Sequence, residues 1–435
     1  MSMSLGTTFD QARARRLQAS IPASYIIHKE GSLCYIEATR PGSTDWNDPD
    51  DEEVIQYGID TLYNAGGGVF GGTLFVKKAS ADYSINNDII CRNRVDILLE
   101  RDACLLAGQA LSPAMFNFEN AAATTYFTKI SGGRIEGNNL ADRAFSFLDV
   151  TGNIFVEEME VAGFTDSPVR LSGAWGIRAR NMKVTAPTGA YCFDLTRDAA
   201  AHTGNHLNTF TKVHMIGGTN AYFFRINGDA YGNTLDRCFF SPSTQGMRIV
   251  GDGTYIPTLT HIRDCWFERG AVGTANEKAI EITDVGAHTT IPRNTIITHP
   301  HLGLFDYGIY VEYGQKTVIR DVYGSGQNTC DVYLDANATD TEIENGVWTS
   351  AAKSIITNNP TRVIRKGLGW ENSGTSTGTG AQQTIPHGLL VTPNRIQLTD
   401  LESGANPYQS AAADATNIYV LAVLNQDYLW KAWVQ

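Results

Sequence analysis

HIRDCWFERG, residues 261–270, sets two acids and two arginines around a cysteine, a tryptophan and a phenylalanine. Its reading turns on which side chains are buried. Ile262, Cys265 and Phe267 follow the pattern apolar-x-x-apolar-x-apolar, and this pattern recurs. Upstream it appears as Val156, Met159 and Val161, as Ala179, Met182 and Val184, as Phe210, Val213 and Met215, and as Leu235, Cys238 and Phe240. Downstream come Ile297, Pro300 and Leu302, then Ile319 with Val322 and Ile343 with Gly346. Successive copies begin roughly 22 to 35 residues apart, a period that marks repeat architectures. Between them runs a second motif, two apolar residues separated by one, as in Phe193 and Leu195, Phe224 and Ile226, or Ile280 and Ile282.

Two short strands of period two per repeat, punctuated by Gly, Asn and Asp, cannot bury their faces alone, so each coil must stack on its neighbours. The pattern therefore predicts an all-β chain wound as a parallel β-helix. A sandwich of hairpins would instead need two-residue Asn-Gly turns between paired strands, and these are scarce. In the solenoid, Cys265 and Phe267 point inward on Cys238 and Phe240, while Asp264, Trp266 and Glu268 point outward.

Composition agrees. Charged residues are 18%, glycine numbers 42, and the net charge is -12 with no basic run, which argues against nucleic acid as a partner. The seven cysteines form no CxxC pair and read as buried apolar residues. The first residues, MSMSLGTTFDQARARRLQAS, lack the apolar core of a secretory signal, and no run of about 18 apolar residues follows. The expectation is a soluble chain made in the cytosol, without membrane insertion.

Residues 1–45, with the arginine cluster RARR, read as an N-terminal extension, and 46–370 as the solenoid with its cap. In DPDDEEVIQYGIDTLYNAGGGVFGGTLFVKK an acidic first turn, Val54, Ile55, Ile59 and Leu62 on one face and a glycine stop predict a helix that shields the open end of the core. This helix, GGGVFGGTLFV and DIICRNRVDILLERDACLLAG resemble the opening of pectate-lyase-like right-handed parallel β-helix proteins, which include polysaccharide lyases, polygalacturonase-type hydrolases and phage tailspikes. The resemblance spans roughly residues 50 to 365 and implies the architecture and polysaccharide as the partner. It assigns no catalytic residue. After Trp370 the stretch ENSGTSTGTGAQQ reads as a linker over 371–384. Residues 385–435 then form a small β module of four strands whose Trp430 and Trp433 fill its own core or a contact between copies. This segment resembles the C-terminal modules of phage tail proteins, which implies a homotrimer and a virion-associated or released protein.

Outward side chains of successive coils form columns about 4.8 Å apart. One reads Glu160, Lys183, His214, Phe239, Trp266, His301 and Tyr323; another, near a corner, reads Glu158, Asn181, Lys212, Arg237, Asp264, His299 and Asp321. Aromatic faces stack on sugars and neighbouring acids act on glycosidic oxygens. Asp264 and Asp321, two coils apart, fit an inverting pair with water between them, with Glu268 as the substitute for Asp321. For elimination on a uronic acid polymer, His299, His214, Lys212 or Tyr323 is the base, and Arg237 neutralises the sugar carboxylate. Trp266 and His301 complete the substrate wall. Long connections after Leu195, Ile249 and Ile282 flank these coils. His299 and His301, even with His202 or His206, make a weak metal set, so no metal or cofactor is expected. Asp194, Arg225, Arg248 and Glu281 form a rival column without aromatics, readable also as an ion-pair ladder or a subunit interface. The sequence thus favours a polysaccharide-binding and -cleaving protein, glycoside hydrolase or lyase, over a non-catalytic adhesin or fibre.

Overall fold

The computed structural model describes residues 24–38, 46–65, 71–119, 125–197, 204–217, 222–241, 245–269, 276–285, 289–348, 355–357, 363–366, 371–386, 393, 395–401, 407–414 and 417–433. The quoted stretch supplies one coil. His261–Arg263 and Trp266–Glu268 are two short strands meeting at a corner, and Lys278–Asp284 is a third strand on another face. All three pair in parallel with the coils before and after, the first two within a 27-stranded sheet and the third within an 11-stranded one. Parallel pairing of residues one repeat apart puts identical motif positions in register: Leu235, Ile262, Ile297, Ile319 and Ile343 form one unbroken inward column.

These columns make one apolar core. Phe267 stacks on Phe240 at 4.2 Å and 10°, and Phe147 on Phe118 at 4.7 Å. Cys265 and Cys238 are both buried, and burial pushes the Cys265 thiol well above its ordinary range. Each such side chain removes about 1.5–3 kcal/mol of apolar surface cost from water, so the stack holds the coils together without hairpins.

The helix Asp51–Ala65 closes the end of the core with Val54, Ile55, Ile59 and Leu62 buried. Gly58 allows the close approach, because a Cβ there would lie 2.7 Å from Leu74. The residues read as an N-terminal extension are partly solenoid. Ser24–Glu30 pairs antiparallel with Leu33–Ala38 and parallel with Gly72–Val76, burying Ile27, Cys34 and Ile36. An open sheet edge offers unpaired N–H and C=O groups, and this hairpin satisfies them. RARR lies outside the described residues.

The linker reading of 371–384 is corrected. Glu371–Thr377 pairs along its whole length with Asp427–Trp433, and Gln382–Pro386 with Asn417–Leu421. Ser and Thr serve as well in an edge strand as in a linker, and only the distant partner strand distinguishes the two. Two three-stranded antiparallel sheets result. They enclose Ile385, Ile418, Val420, Ala422, Tyr428, Trp430 and Ala432, so Trp430 belongs to the module's own core. The side chain of Trp433 lies outside the described residues.

Candidate functional site

The corner between the paired short strands positions the first set of side chains. Glu158, Asn181, Lys212, Arg237, Asp264, His299, Asp321 and Asn345 all adopt left-handed backbone, with φ between 46° and 58°. Each of Glu158, Asn181, Lys212, Arg237, Asp264 and His299 donates its backbone N–H to the next coil, which repeats the turn at every level. Left-handed backbone costs a residue with a Cβ roughly 1–2 kcal/mol, least for Asn and Asp. Here the stacked coils on either side enforce it.

Asp264, His299 and Asp321 therefore project from three successive coils. His299 Nδ1 lies 3.2 Å from Asp264 Oδ1, and Nε2 lies 3.3 Å from Asp321 Oδ2. Asn345 Nδ2 donates to the remaining Asp321 oxygen at 3.2 Å. The gap expected to hold water between two carboxylates is thus filled by an imidazole, which removes the geometry of an inverting pair. The two ring nitrogens face opposite directions, so the three groups do not converge on a point. Among the described residues no group of three or more His, Cys, Asp or Glu could hold a metal; His202 lies outside them, and His206 pairs with Asp229 at 3.3 Å.

One coil earlier, Asp236 accepts from Arg263 Nε at 2.9 Å and from Arg237 Nη2 at 2.8 Å. Burial alone would raise this carboxyl, but the two guanidinium bonds outweigh it and hold Asp236 below its ordinary value. Arg237 and Arg263 thus stand side by side, each about half exposed, and Arg263 Nε comes within 3.9 Å of Asp264. Lys212, on the same corner, is exposed and has no carboxylate partner among the described residues.

The second expected column is present in full register: His214, Phe239, Trp266, His301 and Tyr323 are direct partners on five coils. Their rings pack on each other. Trp266 stacks on His301 at 3.6 Å and 17°, and His301 on Tyr323 at 4.6 Å and 22°. His301 is sandwiched, so its faces are closed to a sugar. Trp266 and Tyr323, 42% and 43% exposed, present edges and one outer face. Glu268 accepts from Trp266 Nε1 at 3.2 Å and is held on the aromatic column. Burial lowers the imidazole pKa of both His214 and His301; Lys183 adds to the effect at His214, and Glu268 opposes it at His301.

The rival column is an ion-pair ladder. Arg225 forms a two-pronged bond to Asp194 at 2.7 Å on each arm, and Arg248 Nε lies 2.9 Å from Glu281. Aromatics do flank it, contrary to expectation: Tyr191 lies under Arg225, Tyr222 donates to Glu281 at 2.7 Å, and Tyr310 stacks on Tyr333. Tyr191 lies two residues before its strand, where strand alternation gives no guide to direction. Asp194 and Glu281, 5% and 3% exposed, are fully engaged inside this chain.

Sequence reasoning missed a third short ladder. Within two of the long connections, and preceding a corner strand elsewhere, lie Asn205–His206, Ala230–Tyr231 and Pro257–Thr258, paired in parallel. It carries the column Trp175, His206 and Tyr231. No apolar pattern signalled it: four positions before successive motifs stand Trp175, His206, Tyr231 and Thr258. Residues 198–203, 270–275 and 286–288 of the expected long loops lie outside the described residues.

No family model matches the sequence, and no curated protein sequence does. By structure the chain is similar to a surface adhesin of Streptococcus pneumoniae at 11% identity, covering 78% of this chain and 94% of that one, with a TM-score of 0.51. The chain is a parallel β-helix. It is also similar to a tailspike protein of E. coli bacteriophage HK620, at 10% identity over 91% of this chain and 90% of that one with a TM-score of 0.48. A third is a tailspike of Acinetobacter baumannii bacteriophage Fri1, a capsular polysaccharide depolymerase, at 9% identity over 87% and 81% with a TM-score of 0.43. At these identities the β-helix likeness concerns the fold.

Proposed function

We propose that this β-helix binds an acidic polysaccharide along its corner column and cleaves it by elimination. The observation that carries the reading is the imidazole of His299 set between Asp264 and Asp321, beside the paired guanidiniums of Arg237 and Arg263. Elimination from a uronate needs a cation on the sugar carboxylate and a base at the neighbouring carbon. Arg237 and Arg263 suit the first task, since Asp236 fixes them while leaving N–H groups outward. His299 suits the second: with Nδ1 held by Asp264, Nε2 turns from Asp321 to the sugar and takes the proton, the C–O bond to the leaving sugar breaks as its oxygen takes a proton from water, and a double bond forms in the uronate ring. Asp264 and Asp321 hold the ring in place. Trp266 and Tyr323 border the path of the chain. Hydrolysis by Asp264 and Asp321 is disfavoured because no water fits where the imidazole lies.

A second reading, a glycan-binding adhesin without turnover, draws on the same observation, because both nitrogens of His299 already face carboxylates. Incubation with alginate and polygalacturonate separates the two. Growth of the ultraviolet band of an unsaturated uronate supports elimination, reducing ends without that band support hydrolysis, and retention of polymer without products supports the adhesin.

Self-association, as a homotrimer, belongs to the same proposal. The C-terminal module leaves Leu401, Tyr408, Val423 and Leu424 exposed around a core of seven residues, and a small module with so little interior gains by burying them between copies.

A further inference from the structure

We propose that a groove at the other end of the long strands is a second glycan subsite, specific for a carboxylate-bearing sugar residue. The inference rests on the polysaccharide reading above. The groove, about 450 Å³, falls in the size range of small-ligand clefts and is bordered by Asn153, Trp175, Arg178, Leu207 and Thr209. It lies where the strand Trp175–Arg180 begins, whereas the corner lies where that strand ends.

The platform is Trp175, 41% exposed. Unlike His301, it is not sandwiched. It meets His206 edge to face at 5.5 Å and 80°, and its partner on the preceding coil is Thr151, so one side of the indole has no ring over it among the described residues. Its backbone is fixed from below. Asn205 Oδ1 accepts from Ala174 N at 3.1 Å, Asn208 Oδ1 accepts from Ile177 N at 2.9 Å, and Asn208 Nδ2 donates to Ala174 O at 3.0 Å; both asparagines are fully buried. Gly152 and Gly176, at φ of 139° and 82°, form the wall beside it, where a Cβ on Gly176 would lie 2.0 Å from the Gly152 carbonyl. Both glycines are needed for the close stacking of these coils at the groove.

Arg178 supplies the charge. It is exposed, lies 5.2 Å over the Phe155 ring and has no carboxylate partner among the described residues. Its neighbours differ: Arg180 is held by Glu157 at 2.5 Å and Arg197 by Asp229 at 3.2 Å. An uncompensated guanidinium at a groove wall, on a chain of net charge -12, fits an anion, and its fork matches a carboxylate. A flat aromatic face, a guanidinium, an amide and a hydroxyl together recognise an acidic pyranose. Four rungs, about 19 Å along the axis, separate the coil of Trp175 from that of His299. A polymer of several sugars spans this distance, and two linked contacts bind more tightly than either alone.

The test is an array of acidic bacterial capsular polysaccharides and neutral glucans, probed with the full chain, with Trp175→Ala and with Arg178→Gln. Both side chains are exposed, and thermal midpoints confirm that the variants remain folded. Trp175→Ala and Arg178→Gln should each weaken binding of acidic glycans about tenfold. Unchanged acidic-glycan binding in both variants overturns the subsite and leaves the corner reading intact. Equal weakening of neutral glucans by Arg178→Gln overturns the acidic ligand class. Failure of the unaltered chain to bind any glycan removes the corner reading and the subsite together.

Discussion

Phe267→Ala and Trp266→Ala, adjacent substitutions on one strand, should differ sharply in cost. Phe267 is fully buried and stacks on Phe240 at 4.2 Å, with Leu302 in register on the following coil. Truncation removes its transfer free energy and leaves a cavity between rigid rungs, which places the loss at about 3–5 kcal/mol. Trp266 is 42% exposed and gives up mainly its contact with His301, worth about 1 kcal/mol or less. Because repeat proteins distribute stability by neighbours, the Phe267 loss should also be local. Denaturant unfolding followed by circular dichroism gives the midpoints, and amide exchange on Phe240 and Leu302 reads the locality. Equal destabilisation by the two substitutions would refute the alternation on which both columns depend.

His299→Ala should reduce eliminative turnover by about 10²–10⁴ while retaining polymer binding. Its exposed ion pairs should contribute no more than about 1 kcal/mol of stability, so an unfolded variant would argue for a structural role in place of a chemical one. Stability should decline as pH falls through about 6.5. His214 and His301 are held below their ordinary pKa, the unfolded chain therefore binds more protons there, and the stability present above that pH is lost below it. Replacing both histidines by Phe should flatten the thermal midpoint against pH, and a slope left unchanged would contradict the assignment. Val423→Asp with Leu424→Asp should convert an assembled species to monomer in light scattering; a single unchanged mass would exclude this surface as the contact.

Much of the coil was legible because its cause is local. Period-two motifs at Ile262, Cys265 and Phe267 recur at a fixed phase, and parallel register then makes residues one repeat apart into partners without further information. The column from Glu160 to Tyr323 followed directly. Side-chain direction within columns did not follow. Strand alternation says that Trp266, His301 and Tyr323 point outward, but whether rings meet face to face or offer faces to a ligand depends on rotamers chosen by neighbours. The filled gap between Asp264 and Asp321 has the same origin: the column already set His299 between them, but the rotamer that turns its ring into the gap is chosen by its neighbours.

Short strands within connections were invisible for another reason. Ala230–Tyr231 and Asn205–His206 are two residues long, too brief for periodicity, and exist because adjacent coils hold them in register. The same holds for Glu371–Thr377, whose Ser, Thr and Gly become a strand only against Asp427–Trp433. Sequence by itself determined the winding of the chain, the inward stack and the cap, because one short apolar motif, recurring along the chain at uneven steps, buries its residues by stacking coil on coil. Tertiary structure decided what the outer wall can do. Contacts across coils, from side chains far apart in the chain, choose which charges neutralise each other, which rings close on themselves and which, like Trp175 and Arg178, remain open to a ligand.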